Sequence, residues 1–295
     1  MPKIILAGGT GFVGQYLAKQ FANAGYEIII ISRQKGHVNW QDTKAVIDAI
    51  DGSEMLINLA GRSVDCRYNE KNKKEILESR TETTRMLGEA VLQCNHPPEL
   101  WINSSTATIY REAYDHYMTE ASGEIGTGFS VDVAKSWEKT FFDFKLPNTR
   151  QAALRISIVL GKDGGVMIPF KNLTRFGMGG SQGSGKQMFS WIHIADLFNI
   201  ISFIQSNKNL SGAFNCTSPH AVTNAVLMKT FRQIMHMPIG LSIPKFLLEI
   251  GAVMIRTETE LLLKSRWVFP EKLLNAGYVF EYPEIDKALN DMLTQ

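Results

Sequence analysis

The chain has 295 residues, 44% of them hydrophobic, which is enough for one full core plus a lobe and excludes a disordered chain. Its 31 basic and 29 acidic residues leave a formal charge of +2, without the clustered Lys/Arg stripe that a nucleic-acid partner requires. Cys66, Cys94 and Cys216 are odd in number, far apart and free of CxxC spacing, so they carry neither a disulfide framework nor a zinc site. No HExxH and no Cys/His pairing at ligand spacing occurs, and no metal is expected. The first apolar run starts almost at once and lacks the form of a signal peptide. The most apolar later stretch, 243–255, carries Pro244, Lys245 and Glu249, falls short of a membrane span, and is read as a core-facing helix. These features predict a cytoplasmic protein with a small-molecule partner, no nucleic acid and no membrane, and they are compatible with a homodimer.

Ile4 to Ala7 form a short apolar run suited to a strand buried on both faces, followed by glycines at 8, 11 and 14. Val13, Leu17 and Phe21 then recur at helical spacing, Gly25 offers a left-handed cap, and Ile28 to Ile31 make a second strand. In such a strand–turn–helix–strand unit one glycine permits the tight turn, another lets backbone approach a pyrophosphate, and a third lets the helix pack on the strand. Free N–H groups at the helix start then face the phosphates.

The spacing is GxxGxxG, and together with the downstream motifs it resembles the short-chain dehydrogenase/reductase superfamily, in the extended branch that includes nucleotide-sugar epimerases and dehydratases. The resemblance implies an α/β fold: a Rossmann-type doubly wound parallel sheet with a smaller, mainly helical C-terminal substrate lobe. It also implies cofactor contacts from Gly8, Thr10, Gly11, Phe12, Val13 and Gly14. At the end of the second strand, where an NAD enzyme places a carboxylate on the ribose, stand Ser32 and Arg33. A guanidinium there grips a 2′-phosphate that a carboxylate would repel, so NADP(H) is preferred over NAD(H).

Met55 to Leu59 form another buried-strand candidate ending in "NLAG", Asn58 to Gly61, which resembles the superfamily's small-residue turn beside the cofactor. Leu59, Ala60 and Gly61 join the cofactor set on that resemblance. A long helix comes next, with Ile76, Thr83, Leu87 and Val91 toward the core, ended by Pro97-Pro98. Leu100 to Asn103 start a strand that runs into "SSTATIY", where the family places a catalytic hydroxyl. Thr106 matches that position best, with Ser105 and Ser104 as rivals, and simple capping of the strand end is the alternative.

The helix in "FSVDVAKSWEKTFFDF" carries a core stripe of Val133, Trp137, Phe141 and Phe144. Val131 and Lys135 match the spacing of the family's YxxxK pair, in which tyrosine donates the proton and lysine holds the nicotinamide ribose. Lys135 suits the second role, whereas Val131 has no proton to give. The replacement candidates are Tyr110 first, then Tyr114, Tyr117, Glu120 and Lys135 itself, with Thr106 and Ser105 stabilising a developing alkoxide.

Ala153 to Gly161 read as one further buried strand, followed by Gly164-Gly165 and a glycine-rich stretch. Within that stretch, 179–183 fits GxSxG and 180–186 most of a P-loop, but neither has the flanking elements those motifs need. "FSWIHIADL", Phe189 to Leu197, resembles a later family signature in which a strand returns to the sheet and Asp196 caps a helix; His193 is read as a packed histidine. Phe214-Asn215 form a last short strand, and helices are expected over 222–235, 244–255 and 271–275.

The expected division is a Rossmann domain over 1–165, completed by about 189–217, with a substrate lobe from 166–188 and 218–295. From Gly8 to Pro283 the chain resembles a group of epimerase-like proteins whose C-terminal domain has no assigned role and which tend to lack the tyrosine. That resemblance implies an NADP(H)-binding oxidoreductase or epimerase-like protein acting on a small carbonyl or sugar-nucleotide-like substrate. The alternative is a non-catalytic NADP(H) sensor. Arg67, Arg80 and Lys186 are candidate contacts for an anionic substrate.

Overall fold

A computed structural model of the chain describes residues 1–162, 164–246 and 263–294. The first half alternates strand and helix: β1 (Lys3–Ala7), α1 (Phe12–Asn23), β2 (Glu27–Ser32), β3 (Val38–Asn39), α2 (Thr43–Ile50), β4 (Met55–Asn58), α3 (Glu70–Gln93), β5 (Leu100–Thr106), α4 (Phe129–Phe142) and β6 (Arg150–Ile156). After it come β7 (Ile158–Gly161), β8 (Gly164–Gly165), α5 (Met167–Arg175), β9 (Met188–Phe189), β10 (Trp191–His193), α6 (Ile194–Ser206), β11 (Gly212–Cys216), β12 (Val222–Thr223), α7 (Asn224–Ile234), α8 (Glu271–Asn275) and α9 (Ile285–Leu293).

Seven strands form one parallel sheet in the order β11-β6-β5-β4-β1-β2-β3. The order reverses at β1, and a doubly wound sheet opens its ligand crevice at the strand ends there. Both faces are buried, as the unbroken apolar runs predict. On one face Ile4 and Leu6 pack with Leu17 and Phe21 of α1 and with Leu197, Ile200 and Ile204 of α6. On the other, Ile5 and Ala7 meet Val46 and Ile50 of α2, Leu87 and Val91 of α3 and Phe141 of α4. Each such fully buried Ile, Leu or Phe contributes about 1.5–3 kcal/mol.

Several sequence expectations give way to the structure. The single strand expected over Ala153–Gly161 is two, because the chain leaves the main sheet at Ser157, whose N–H and hydroxyl both bond Cys216 O (3.1 Å each). β7 then pairs with β10 and β8 in a separate three-stranded sheet. β10 likewise returns to that small sheet and not to the main one, and β12 pairs with β9. In α3 the core residue is Thr84, with Thr83 only half-buried, because a buried polar network holds the Thr84 hydroxyl. The helix expected over 244–255 lies largely outside the described residues.

Asp196 is not the cap of α6. His193 caps it, its Nδ1 accepting from Ala195 N–H (3.2 Å), while its ring stacks on Tyr282 at 3.8 Å. Burial of that imidazole lowers its pKa. Asp196, with no exposed surface, instead accepts from the Tyr278 hydroxyl, Glu281 N–H and Tyr282 N–H, each at 2.9 Å. One carboxylate thereby ties the C-terminal segment to the helix that lines the main sheet. Asp196→Ala strands one buried and two part-buried donors and is expected to lower unfolding free energy in urea by about 3 kcal/mol, against about 1 kcal/mol for loss of a simple helix cap.

Candidate functional site

The turn after β1 closes around two contacts that only glycine permits. Gly8 has φ +76°, donates its N–H to Ile31 O (2.8 Å), and a Cβ there would sit 2.6 Å from Ala60 Cα. A Cβ on Gly14 would sit 2.5 Å from Gly9 Cα, so α1 rests directly on the turn. Gly9 therefore belongs to the motif, although the 8–11–14 spacing passes over it. Gly11 faces open space and begins α1 without a side-chain cap or an acidic residue in the first turn. That leaves the helix N-terminus directed at the crevice with its N–H groups available to an anion.

The crevice is a groove of about 1070 Å³ lined by Gly8, Thr10, Gly11, Ser32, Arg33, Leu59, Ala60 and Gly61. Arg33 is exposed, while the buried Ser32 hydroxyl accepts from Gln34 N–H (3.0 Å). Trp40, Arg62 and Ser79 add to the lining, as does Thr83, which the helical pattern had placed toward the core. Phe12, Val13, Gly14 and Lys135 stand outside it. The Phe12 ring fills a slot over Gly161 and Gly164, where an added Cβ would lie 2.6 and 2.2 Å from ring carbons. Val13 packs on the core, and Lys135 is exposed on α4.

The far wall is held by a buried polar network. Asn58 accepts from Ala60 N–H (3.0 Å) and donates to Thr84 Oγ1 (3.0 Å) and Asn103 Oδ1 (2.7 Å). Trp137 Nε1 donates to the same Thr84 hydroxyl (2.9 Å). The amide of Asn58 thus fixes the turn that meets Gly8. Behind Gly61 lies the half-buried Arg80 guanidinium, over the Trp137 ring at 5.1 Å and bonded to Ile76 O (2.9 Å), its pKa lowered to about 10 by burial.

Beyond the ends of β5 and β6, a second cavity of about 140 Å³ is bounded by Thr106, Ala107, Thr108, Ile156, Ser157 and, from the lobe, Gln187, Met188, Ser190, Asn224, Lys264 and Arg266. Thr106 is the sequence-predicted hydroxyl found here. It also accepts from Thr108 N–H (3.2 Å), so it caps a single 3-10 turn, Ala107–Ile109, as well as facing the cavity.

Ser105 and Tyr110 are drawn elsewhere. The Ser105 hydroxyl donates to Glu138 Oε1 (2.6 Å), and Glu138 forms a two-pronged pair with Arg155 (2.9 and 2.8 Å). Arg155 Nη1 donates to the Tyr110 hydroxyl (2.7 Å), which itself donates to Asn215 Oδ1 (2.9 Å). Tyr110 is 1% exposed, does not line the cavity, and burial raises its pKa, which opposes proton donation at neutral pH. Tyr110 and Ser105, the proton donor and hydroxyl partner expected from sequence, are thus both engaged in a buried network, and neither lines the cavity.

Tyr114 and Tyr117 are exposed, and Glu120 accepts from the backbone of Asn215 and Lys272, its pKa raised by burial. None of the three lines the Thr106 cavity. Val131 is 2% exposed. Arg67, Arg80 and Lys186 also stand outside the cavity, whose described lining includes Lys264 and Arg266. Their signal in the sequence was the alternation Lys264-Ser265-Arg266.

Residues 4–127 match the NAD dependent epimerase/dehydratase family, and residues 243–292 match a domain of unknown function, DUF1731. The human epimerase family protein SDR39U1 is 30% identical over 99% of both chains, and the epimerase family protein YfhF of Bacillus subtilis is 30% identical over 98% of this chain and 97% of its own. The crystal structure of human SDR39U1 with NADPH superposes with a TM-score of 0.90 at 30% identity, covering 99% of each chain. A nucleoside-diphosphate sugar epimerase from Corynebacterium glutamicum superposes at 0.80 with 28% identity, covering all of this chain and 59% of that one.

The doubly wound sheet, with a groove at its switch point and a lobe over its strand ends, defines the extended short-chain dehydrogenase/reductase class. Within it, this chain belongs to the epimerase family that includes SDR39U1.

Because Tyr110 serves the buried network, Tyr110→Phe is expected to lower unfolding free energy by about 1–3 kcal/mol, as a buried Arg155 donor and Asn215 acceptor lose their partner. The groove is expected to keep its nucleotide affinity in this variant, which titration calorimetry would check.

Proposed function

We propose that the protein binds NADP(H) in the groove and acts as an oxidoreductase or epimerase-like enzyme on a small carbonyl substrate held at the Thr106 cavity. The observation that carries this reading is the cradle itself: Gly8 in contact with Ala60, an open Gly11 at an uncapped helix start, and Arg33 in the lining at the end of β2. A diphosphate fits the first two features and a 2′-phosphate the third. The NADPH bound in the crystal structure of the human relative supports the same assignment.

In this reading Gly8, Thr10 and Gly11 hold the diphosphate, Ser32 and Arg33 the phosphorylated ribose, and Leu59, Ala60 and Gly61 the wall beside the rest of the nucleotide. When bound, the nicotinamide supplies or accepts a hydride. Thr106 bonds the substrate oxygen, with Ser157 beside it in the lining. Ile156 and Ile158 give the cavity an apolar side, where a polar contact is worth more than in water.

A specific observation favours a second reading, an NADP(H)-binding sensor without turnover. No tyrosine or carboxylate lines the cavity among the described residues, and Val131 is buried. Incubation with NADPH and a carbonyl panel separates the two, since oxidation above background requires the enzyme.

For the cofactor, Arg33→Ala is expected to weaken NADPH binding by about tenfold or more and to leave NADH binding nearly unchanged. Gly8→Val, which drives a side chain into Ala60, is expected to abolish binding of both nucleotides. Titration calorimetry reads both outcomes, and equal loss of NADPH and NADH in Arg33→Ala would remove the 2′-phosphate assignment.

A further inference from the structure

Arg80 is a half-buried cation that its surroundings do not neutralise. It projects from α3 to the back of the turn after β4. A Cβ on Gly61 would sit 3.0 Å from Arg80 Cζ and 3.2 and 3.3 Å from its Nη2 and Nη1, so the guanidinium fills the space that a side chain at 61 would need. It lies over the Trp137 ring, 5.1 Å from the centroid, and Nη1 donates to Ile76 O (2.9 Å) one turn back in the same helix. Among the described residues this carbonyl is its one acceptor, and no carboxylate pairs with it or raises its pKa. The acidic residues on either side of it in α3 are committed elsewhere, Glu75 to Arg62, Glu78 to Lys74 (3.7 Å) and Glu82 to Arg85 (2.6 Å).

A guanidinium carries several N–H donors, and a charge withdrawn from water is normally paired or fully bonded. Within the described chain Arg80 is neither. Burial accordingly lowers its pKa to about 10, which still leaves it charged at neutral pH. The wall that it backs belongs to the groove: Gly61 is part of the lining, as are Ser79 and Thr83 beside Arg80 on α3. Arg62 N–H donates to Ser79 Oγ (2.9 Å), which straps that wall to the helix. Ala60, the residue before Gly61, is the one that Gly8 meets, so the wall adjoins the turn suited to a diphosphate. Gly61 has no side chain to set between a ligand and the guanidinium. A positive charge one residue behind a poorly hydrated wall attracts an anion on the far side, because Coulomb energy falls only as the inverse of distance and salt screens a buried charge weakly.

We infer that Arg80 is the counter-charge of the nucleotide's diphosphate, acting through the Gly61 wall. This rests on the cofactor reading proposed above and adds to it a residue from outside the glycine turn and the ends of β2 and β4. The two arginines then have separate tasks. Exposed Arg33 selects the 2′-phosphate, which NADH lacks, and Arg80 attracts the charge that NADPH and NADH share.

The test titrates the full chain with NADPH, NADH and adenosine 2′-phosphate by calorimetry. If the parent protein binds neither dinucleotide, the cofactor assignment falls and this inference with it; if the parent binds them and the Arg80 variants bind them equally well, this inference alone falls. Arg80→Gln is expected to weaken NADPH and NADH by the same factor, about fivefold or more. Adenosine 2′-phosphate, which lacks the diphosphate, is expected to stay within about twofold of the parent.

Arg80→Lys keeps the charge and loses the planar stack on Trp137, so it is expected to recover most of the affinity that Arg80→Gln loses, an outcome that a purely structural arginine would not give. Should Arg80→Gln fail to fold, Arg80→Met, which refills the space over Trp137 with a neutral apolar chain, gives the same comparison. A loss confined to NADPH, an equal loss for adenosine 2′-phosphate, or Arg80→Lys binding as weakly as the neutral variant would each overturn the inference.

Discussion

The site depends on one van der Waals contact, Gly8 against Ala60. Because a methyl group on Gly8 would sit 2.6 Å from Ala60 Cα, the ends of β1 and β4 approach as closely as bare backbone allows. The approach is held from behind by Asn58, whose side chain fixes Ala60 while bonding Thr84 and Asn103. A polar side chain buried with its bonding capacity met specifies geometry, since any shift leaves desolvated groups unpaired. The groove floor is therefore set by an amide network, and the glycines let it close.

The groove was legible in the sequence because its residues are consecutive. Gly8, Thr10 and Gly11, the Ser32–Arg33 pair and Leu59–Ala60–Gly61 each follow a short apolar strand, and local pattern places all of them at one sheet edge. Long-range polar pairing was not legible. Thr84 looks like a helix surface residue until Asn58, Asn103 and Trp137 converge on it from three other elements. Asp196 looked like a cap because it stands near the start of α6, and its three donors lie more than 80 residues further on. The unbroken apolar run through β6 and β7 hid the departure at Ser157, since periodicity does not report which sheet a strand joins.

The fate of the tyrosine illustrates how a phenol is assigned by its neighbours. Tyr110 follows the hydroxyl cluster and looks well placed for proton transfer, yet Arg155 and Asn215 take both sides of its hydroxyl. Arg155 is itself gripped by Glu138, which also receives the Ser105 hydroxyl. Such a chain of paired charges and hydroxyls joins β5, α4, β6 and β11, and its cost of disruption falls on the sheet. Among the described residues, the Thr106 cavity is left with hydroxyls, amides and apolar groups beside Lys264 and Arg266.

Phe12 gives the two parts of the molecule a shared joint. It is the first residue of the helix whose start faces the groove, and its ring occupies a trough made by glycines of β7 and β8, which pair within the lobe. Steric fit of this kind transmits displacement in both directions, because close-packed atoms have no slack to absorb it. The helix start and the hairpin are thus in direct steric contact through an aromatic wedge, with no hydrogen bond needed to join them.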